Sequence, residues 1–315
     1  MESTTASAGQ LAGLERYRSI VGDWDGFAEA LSRPLPVCVW TNTLRTRPER
    51  LSELMQTGGW AAEPVGWYPG AFRLPPQVSP GKRLEYMAGL YHVQEEVSLI
   101  PPVLLEATPD DRVLDMCAAP GNKTAQLAVA MHNRGTLVAN DRNYGRIRAL
   151  RRTIDRLGLA NVSVTAYDGA NYPPESGSFD KVLVDAPCSC EGTTRKHPEA
   201  IEKLSTNYDC RLAGTQRALL RKAVQRCRVG GRVVYSTCTY APEENECIVS
   251  EVLDELGAAV RLLPARIEGL RSAPGLTSWK QRQFNDEMTN AMRIWPHQND
   301  TGGFFAALLE KTAEV

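Results

Sequence analysis

Asp115-Met-Cys-Ala-Ala-Pro-Gly-Asn-Lys-Thr124 is the stretch on which the reading of this 315-residue chain turns. It leaves a short apolar run, Arg112 to Met116, passes through small residues, and opens an amphipathic segment at Lys123. Small side chains let the backbone approach a ligand closely, and the first turn of a helix offers unpaired N–H groups to a carboxylate or phosphate. The loop has neither G-x-G-x-x-G nor G-x-x-x-x-G-K-[ST], which disfavours a nicotinamide dinucleotide and excludes a P-loop.

Downstream of this loop, strand-like and helix-like segments alternate. Strands are expected at Thr136 to Asp141, Val162 to Tyr167, Lys181 to Asp185 and Gly231 to Ser236. Helices are expected at 123 to 132, at Tyr144 to Leu157 with Ile147, Leu150, Ile154 and Leu157 on one face, at Arg211 to Arg228, and at Glu243 to Leu256. Val260 to Leu263 and Phe304 to Leu309 can close the sheet. Such alternation gives an α/β fold, a largely parallel sheet covered by helices on both faces, with ligands beyond the carboxyl ends of the strands. Acids fall at successive strand ends, at Asp115, Asp141 and Asp168, and one at the end of the second strand suits ribose hydroxyls.

Upstream the pattern differs. Residues 11 to 32 carry apolar positions on a helical period, Val37 to Thr43 is β-rich, and Pro48 to Thr57 reads as a short amphipathic helix. Residues 58 to 80 are rich in Gly, Pro and aromatics without periodicity. A smaller α+β N-terminal unit over 1–95 and a catalytic domain over 96–315 are therefore expected.

Composition bounds the partners. Hydrophobic residues make up 43% and charged residues 23%, ordinary for a globular protein, and the net charge of −1 announces no nucleic-acid binder. No uninterrupted apolar run could span a bilayer, and Met1 to Gln10 lacks the form of a secretory signal, so no membrane association and a cytoplasmic location are expected. The eight cysteines sit in core-like segments. Cys188 and Cys190 form a C-x-C pair, but Cys210 and Cys227 follow at no zinc-motif spacing, so no metal is expected.

Two cysteine blocks stand out. Asp185-Ala-Pro-Cys-Ser-Cys-Glu-Gly192 and Tyr235-Ser-Thr-Cys-Thr-Tyr240 each follow a strand, so a parallel sheet can bring both to one crevice. Burial as a small hydrophobe suits Cys38, Cys210, Cys227 and Cys247; it suits Cys188 and Cys238 badly, because they lie where strands give way to loops. Cys117 is expected to pack against its loop.

With DMCAAPGNKT, DAPCSCEGT and YSTCTYAPEENE, the chain resembles the NOL1/NOP2/Sun family of RNA cytosine-5 methyltransferases. WTNTLR at 40–45, YHVQEEVSLIPP at 91–102 and RIWPHQNDTGGFF at 293–305 extend the resemblance from about Pro34 to Lys311. It implies a Rossmann-like methyltransferase sheet, S-adenosylmethionine as cofactor, structured rRNA or tRNA as partner, and action as a monomer. By position, Cys117, Ala118, Ala119, Pro120, Gly121, Asn122 and Lys123 would hold the cofactor. Asp141 and Arg146 would lie on its ribose side, Asp168 near its adenine, and Asp185 between its methionine end and the target base. Cys238 matches the nucleophile and Cys188 the thiol that assists release. Asn122 replaces the usual Gly or Ser, and Cys190 replaces the usual Gly, which strains the loop if φ is positive there.

Carbon 5 of cytosine is a poor nucleophile, and a thiolate added at carbon 6 makes it electron-rich, which is why the chemistry needs these thiols. Lys123 and Lys196 are cations that could favour a thiolate. For RNA, Arg142, Arg146, Arg148, Arg151, Arg152 and Arg156 form a basic helix face, and Arg195, Lys196 and His197 are placed to meet a phosphate. Arg45 belongs to the N-terminal unit expected to bind RNA, whereas the segment around Trp279, Lys280, Arg282 and Phe284 reads as a loop packed on the domain. With no further domain after Lys311, recognition is expected from the N-terminal unit and the catalytic face, or from a partner. The competing readings are a catalytically silent RNA-binding protein, a DNA cytosine methyltransferase, which takes its nucleophile from the proline-cysteine block, and a cysteine hydrolase, which would leave the cofactor loop unexplained.

Overall fold

Two sheets organise the computed structural model, which describes residues 11, 13–75, 77–197 and 210–315. The first sheet holds β1 (Val37–Thr41), β2 (Glu63–Pro64), β3 (Ala71–Leu74) and β4 (Tyr91–Val93), all antiparallel, in the order β2-β3-β1-β4. Two of its strands lie in the stretch 58–80 that lacks periodicity, because strands of two and four residues are too short to alternate legibly. The helix expected over 11–32 is broken instead. A short turn of helix ends at Val21, Gly22 adopts φ +81°, and Asp23 caps a new helix, α1 (Trp24–Ser32), by accepting from the Gly26 N–H. Helix α2 (Pro48–Thr57) is as expected, with proline at its first position.

The second sheet is the larger. Strands β5 (Arg112–Asp115), β6 (Thr136–Asn140), β7 (Val162–Thr165), β8 (Phe179–Asp185) and β9 (Cys227–Thr237) are parallel, in the order β9-β8-β5-β6-β7. Val182, Leu183 and Val184 of β8 are fully buried, as both faces of the sheet are covered. The chain winds outward from β5 through β6 and β7, then returns to the other side of β5 at β8. That reversal opens a crevice at the carboxyl ends of β5 and β8. Beyond β9 the sheet continues with β10 (Val260–Leu263), β11 (Ala273–Pro274), β14 (Met292–Ile294) and β15 (Phe304–Lys311), β15 running antiparallel to β9 and β10. A hairpin of β12 (Ser278–Trp279) and β13 (Arg282–Gln283) lies apart.

Helices α3 (Asn122–Ala130), α4 (Tyr144–Leu157), α5 (Cys210–Arg226) and α6 (Glu246–Leu256) cover the sheet. Helix α4 buries Ile147, Leu150 and Leu157, is capped by Asn143, and ends at Gly158 in the left-handed region. Among the described residues no helix is long and apolar enough to cross a membrane.

The two sheets are joined by polar contacts. Asn42 Nδ2 donates to the carbonyls of Gly89 and Leu157, and Arg45 donates to those of Leu157 and Ala88. Arg156 lies over the Tyr86 ring and donates to the carbonyls of Tyr86 and Tyr91 and to His92 Nδ1. Arginine only donates, so His92 Nδ1 accepts, and the Nε2 proton faces Asn122 Oδ1 at 2.9 Å. Burial holds His92 neutral, its pKa pushed down to about 4. Arg45 and Arg156 thus tie the two units together. Trp279, Lys280, Arg282 and Phe284 follow the packed-loop reading. Trp279 and Lys280 donate to Glu243, Arg282 donates to Glu251, and Phe284 is buried.

Candidate active site

The carboxyl ends of β5, β6, β8 and β9 surround a cleft of about 380 Å³. Every residue expected at the site lines it except Gly121. Gly121 faces the other way. Its φ of +107° and its closeness to Leu150 and Thr153, where a Cβ would sit 3.0 and 3.2 Å from side-chain carbons, make it the residue that lets α3 start against α4. Asn122 therefore needs no left-handed geometry; it is the first residue of α3.

The floor is built by short backbone bonds. Ala118 N–H donates to the Asn140 carbonyl at 2.8 Å, and Ala119 N–H to Asp141 Oδ2 at 3.2 Å. Asp141 is buried, accepts from Asn143 N–H at 2.9 Å, and pairs with Arg146 at 3.2 Å. Arg146 also donates to the Ala119 carbonyl. A carboxylate has about four acceptor positions, so this one keeps capacity for a ligand hydroxyl. Asp168 is exposed at the rim and caps the turn Gly169–Asn171. Cys117 is held well above the ordinary thiol value by burial and by Asp115, Asp185 and Asp141, which fits a packing role.

Asp115, expected only as a strand-end acid opening the loop and given no role at the site, lines the cleft. Its carboxyl is buried, with Thr124 Oγ1 donating to Oδ2 at 2.7 Å and, among the described residues, no partner within hydrogen-bond geometry for Oδ1. Burial pushes its pKa up to about 7. Deeper in the chemistry, Lys123 Nζ lies 2.7 Å from Asp185 Oδ2, and Ser236 Oγ donates to Asp185 Oδ1 at 2.9 Å. Burial alone would lower the Lys123 pKa, but the charge and hydrogen bond of Asp185 outweigh it and keep the ammonium charged. Lys196, the other cation considered, lines a separate hollow between the Pro34–Val37 segment and β4.

The two cysteine blocks meet. Cys188 Sγ lies 3.4 Å from Cys238 Sγ, and Cys190 Sγ lies 3.9 Å from Cys188 Sγ. Hydrogen bonding from Cys188 and Cys238 lowers the Cys190 thiol below its ordinary value, which favours the thiolate at that member of the cluster. Cys238 is raised: the bond with Cys188 favours its thiolate, but the bond with Cys190, burial and the charges of Cys190 and Asp185 outweigh it. The loops are pinned from behind. Ser189 Oγ meets Thr239 Oγ1 at 2.7 Å, Ser189 N–H and Gln216 both donate to Glu244, and Asn245 Nδ2 donates to the Thr239 carbonyl. Gly192 N–H donates to the Cys238 carbonyl at 2.8 Å, and Gly303 N–H to the Gly192 carbonyl at 2.9 Å. Cys190 has φ +60°, the positive value anticipated for a position that favours glycine.

Arg195 is a correction. Its side chain is wholly buried, donating to the carbonyls of Arg33, Pro34 and Thr301 and to Asp300, so it ties loops together and cannot reach a phosphate. Arg142, Arg148, Arg151 and Arg152 are exposed. Gly169, Thr215 and Leu219 also line the cleft, and only the packing of α5 across β8 reveals them.

A parallel sheet that reverses its winding beside a small-residue loop, with acids at successive strand ends, defines the Rossmann-like methyltransferase fold. The chain belongs to the RsmB/F family of 16S rRNA methyltransferases, whose family model matches residues 102–310, while that of the N-terminal domain of 16S rRNA methyltransferase RsmF matches residues 14–96. It is 36% identical over 298 residues to ribosomal RNA small subunit methyltransferase F of Shewanella sp. (strain ANA-3), covering 92% of this chain and 59% of that protein. It is 35% identical over 291 residues to the human 28S rRNA (cytosine(4447)-C(5))-methyltransferase, covering 90% of this chain and 35% of that protein. The chain thus spans at most about three fifths of these relatives. A methyltransferase homolog from Pyrococcus horikoshii superposes with a TM-score of 0.83 at 34% identity, covering 97% of this chain and 99% of that one. The resemblance read from the motifs is borne out.

Proposed function

We propose that this chain methylates carbon 5 of a cytosine in structured ribosomal RNA, with S-adenosylmethionine as donor and Cys238 as covalent nucleophile. The observation that carries this reading is the convergence of Cys188 and Cys238, 3.4 Å apart, on a cleft that also holds the Lys123–Asp185 pair. The ribosomal substrate is argued from the activities named for the relatives. The 1–95 unit, tied to α3 and α4, is proposed to help hold the RNA with the exposed Arg148, Arg151 and Arg152 of α4.

The cleft fits the donor. Asp115 Oδ1 is buried without a partner among the described residues, as would suit an amino group; Asp141 keeps acceptor capacity for ribose hydroxyls, with Arg146 beside it; and Asp168 stands at the rim, where it would meet the adenine side. Residues 117–120, Asn122 and Lys123 form the wall along it. When bound, the cofactor supplies an electrophilic methyl group.

The residues then act in order. The Cys238 proton passes to the anionic thiol cluster, and Sγ bonds to carbon 6 of the pyrimidine while the carbon 5–carbon 6 π pair moves toward N3. Asp185 meets N3 and relays a proton from Lys123, which neutralises the charge as it develops. Carbon 5 is thereby the nucleophile that accepts the methyl group. Cys188 gives its own proton to water at the cleft mouth and then, as thiolate, removes the carbon 5 proton directly or through one water. The double bond re-forms as the Cys238 sulfur leaves and takes back its proton from the cluster, while the N3 proton returns through Asp185 to Lys123.

The test uses the full chain, labelled donor and small-subunit rRNA. Cys238→Ala should abolish transfer, whereas Cys188→Ala should accumulate a protein–RNA adduct that migrates as a shifted band on a denaturing gel. Equal loss of activity in both without any adduct overturns the assigned roles. Bisulfite sequencing of rRNA and tRNA from a strain lacking the gene identifies the modified cytosine; an unchanged rRNA pattern removes the ribosomal substrate.

A further inference from the structure

The thiol cluster has one member more than the proposed reaction requires. Cys190 stands in the left-handed region, φ +60° and ψ +23°, a conformation that favours glycine, and its Sγ is turned back toward the Cys188 carbonyl at 3.4 Å. The result is three sulfurs, those of Cys188, Cys190 and Cys238, all within 4.8 Å of one another at the cleft wall.

We propose that these three sulfurs form a binding site for one soft, thiophilic d¹⁰ cation of the zinc(II) class, seated over the thiol of Cys238. The argument is geometric. Metal–sulfur bonds of about 2.3 Å in a tetrahedral site set their sulfurs about 3.8 Å apart. The pairs at 3.4 and 3.9 Å bracket that spacing. Closing the third pair requires a small movement of Cys190, a partly exposed thiol on a turn. Three protein ligands leave the fourth position facing the cleft, where water completes the shell. Lys123 and Arg146 line the same cleft and offset the net negative charge of a trithiolate holding a divalent ion. Binding changes no oxidation state: the cysteines still carrying S–H bonds release those protons to the buffer, and three metal–sulfur bonds replace three waters on the ion.

The spacing rules for zinc motifs miss this site because its ligands are a C-x-C pair and a thiol from a different strand end. They meet only through the β8–β9 pairing, which sets Asp185 beside Ser236. A sulfur committed to a metal cannot add to a pyrimidine, so occupancy would arrest the enzyme. That consequence rests on the role proposed for Cys238, but the site itself does not.

The experiment is therefore a binding measurement independent of catalysis. The reduced full chain is titrated anaerobically with cadmium chloride, following the ultraviolet sulfur-to-cadmium charge-transfer band, and the band is then displaced with zinc chloride. One equivalent should saturate it. Cys190→Gly, which suits the backbone, should weaken binding by at least about 100-fold, since loss of a mere supporting partner of a ligand already costs 10–100-fold. Cys188→Ala should do the same, with circular dichroism reporting whether either variant is folded. Cys247→Ser removes a thiol outside the cluster and should leave midpoint and stoichiometry unchanged. Absence of the band, an unchanged midpoint in folded Cys190→Gly, or loss of the band in Cys247→Ser overturns the proposal. A normal titration alongside a failed adduct trap would instead remove the catalytic roles and leave the metal site standing.

Discussion

Gly192→Ala tests whether the two cysteine loops are held by backbone contact. An added Cβ would stand 2.3 Å from the Gly303 carbonyl oxygen, 2.7 Å from its carbon and 2.9 Å from the Cys238 carbonyl oxygen. None of these is a side chain that can swing away. Reaching the nearest ordinary contact, 3.4 Å, requires a separation of 3.4 − 2.3 = 1.1 Å. The same opening stretches the bonds from Gly192 N–H to Cys238 and from Gly303 N–H to Gly192, now 2.8 and 2.9 Å. Overpacking costs about 1–3 kcal/mol and each of the two weakened bonds about 1 kcal/mol, so a loss of about 3–5 kcal/mol is expected. A displacement of about 1 Å at reacting groups lowers turnover by about 100-fold. The matched control is Gly214→Ala, an exposed position inside α5 with nothing within 4 Å of the new carbon, which should gain about 0.5–1 kcal/mol. Urea unfolding of both variants gives the free energies, and initial methyl-transfer rates give the second reading. Gly192→Ala lying within 0.5 kcal/mol of the parent, with an unchanged rate, would refute the argument that these loops have no room to part.

Two further outcomes follow from groups whose environment the fold has altered. Asp115, with a pKa of about 7 against an ordinary 3.8, stays protonated in the native state while the unfolded chain ionises. Its contribution is therefore full below about pH 4 and declines as pH rises to about 7, by about 3 × 1.36, or about 4 kcal/mol. The stability of Asp115→Asn relative to the parent should rise across that interval and then level off; a pH-independent difference in urea melts would contradict the burial argument. Arg195→Ala should cost about 2–4 kcal/mol through the carbonyls of Arg33, Pro34 and Thr301 left without a donor, yet leave the salt dependence of RNA binding unchanged. Arg148→Ala should do the reverse, lowering the log–log salt slope by about one for a lost phosphate contact. A reduced slope in Arg195→Ala at parental stability would restore it as an RNA contact.

The catalytic sheet was legible because its signals are local. The bounds of α4, α2 and β10 agree with the periodicity and capping that announced them, and the motif loops fall at strand ends as the α/β rule requires. What was not legible depends on partners distant in the chain. Arg195 reads as an exposed cation beside a motif and is buried because Asp300 and three carbonyls surround it. Strand β2 is two residues long and exists only because β3 pairs with it. The break at Gly22 was readable in principle, since Gly-Asp ends one helix and caps the next, but the apolar period across it is strong enough to mask it. Gly121 was placed at the ligand by its neighbours, whereas its lack of a side chain serves the packing of α3 on α4.

The relay of Arg156, His92 and Asn122 has a mechanical corollary. The imidazole is a rigid spacer with one nitrogen engaged on each side, so a tilt of the small antiparallel sheet is geared to the first turn of α3 with no compliant segment between. An RNA that levers the amino-terminal unit would thereby pull on the wall proposed to hold the methyl donor. A deletion sparing every cleft residue but removing β4 would leave that wall without its outer buttress.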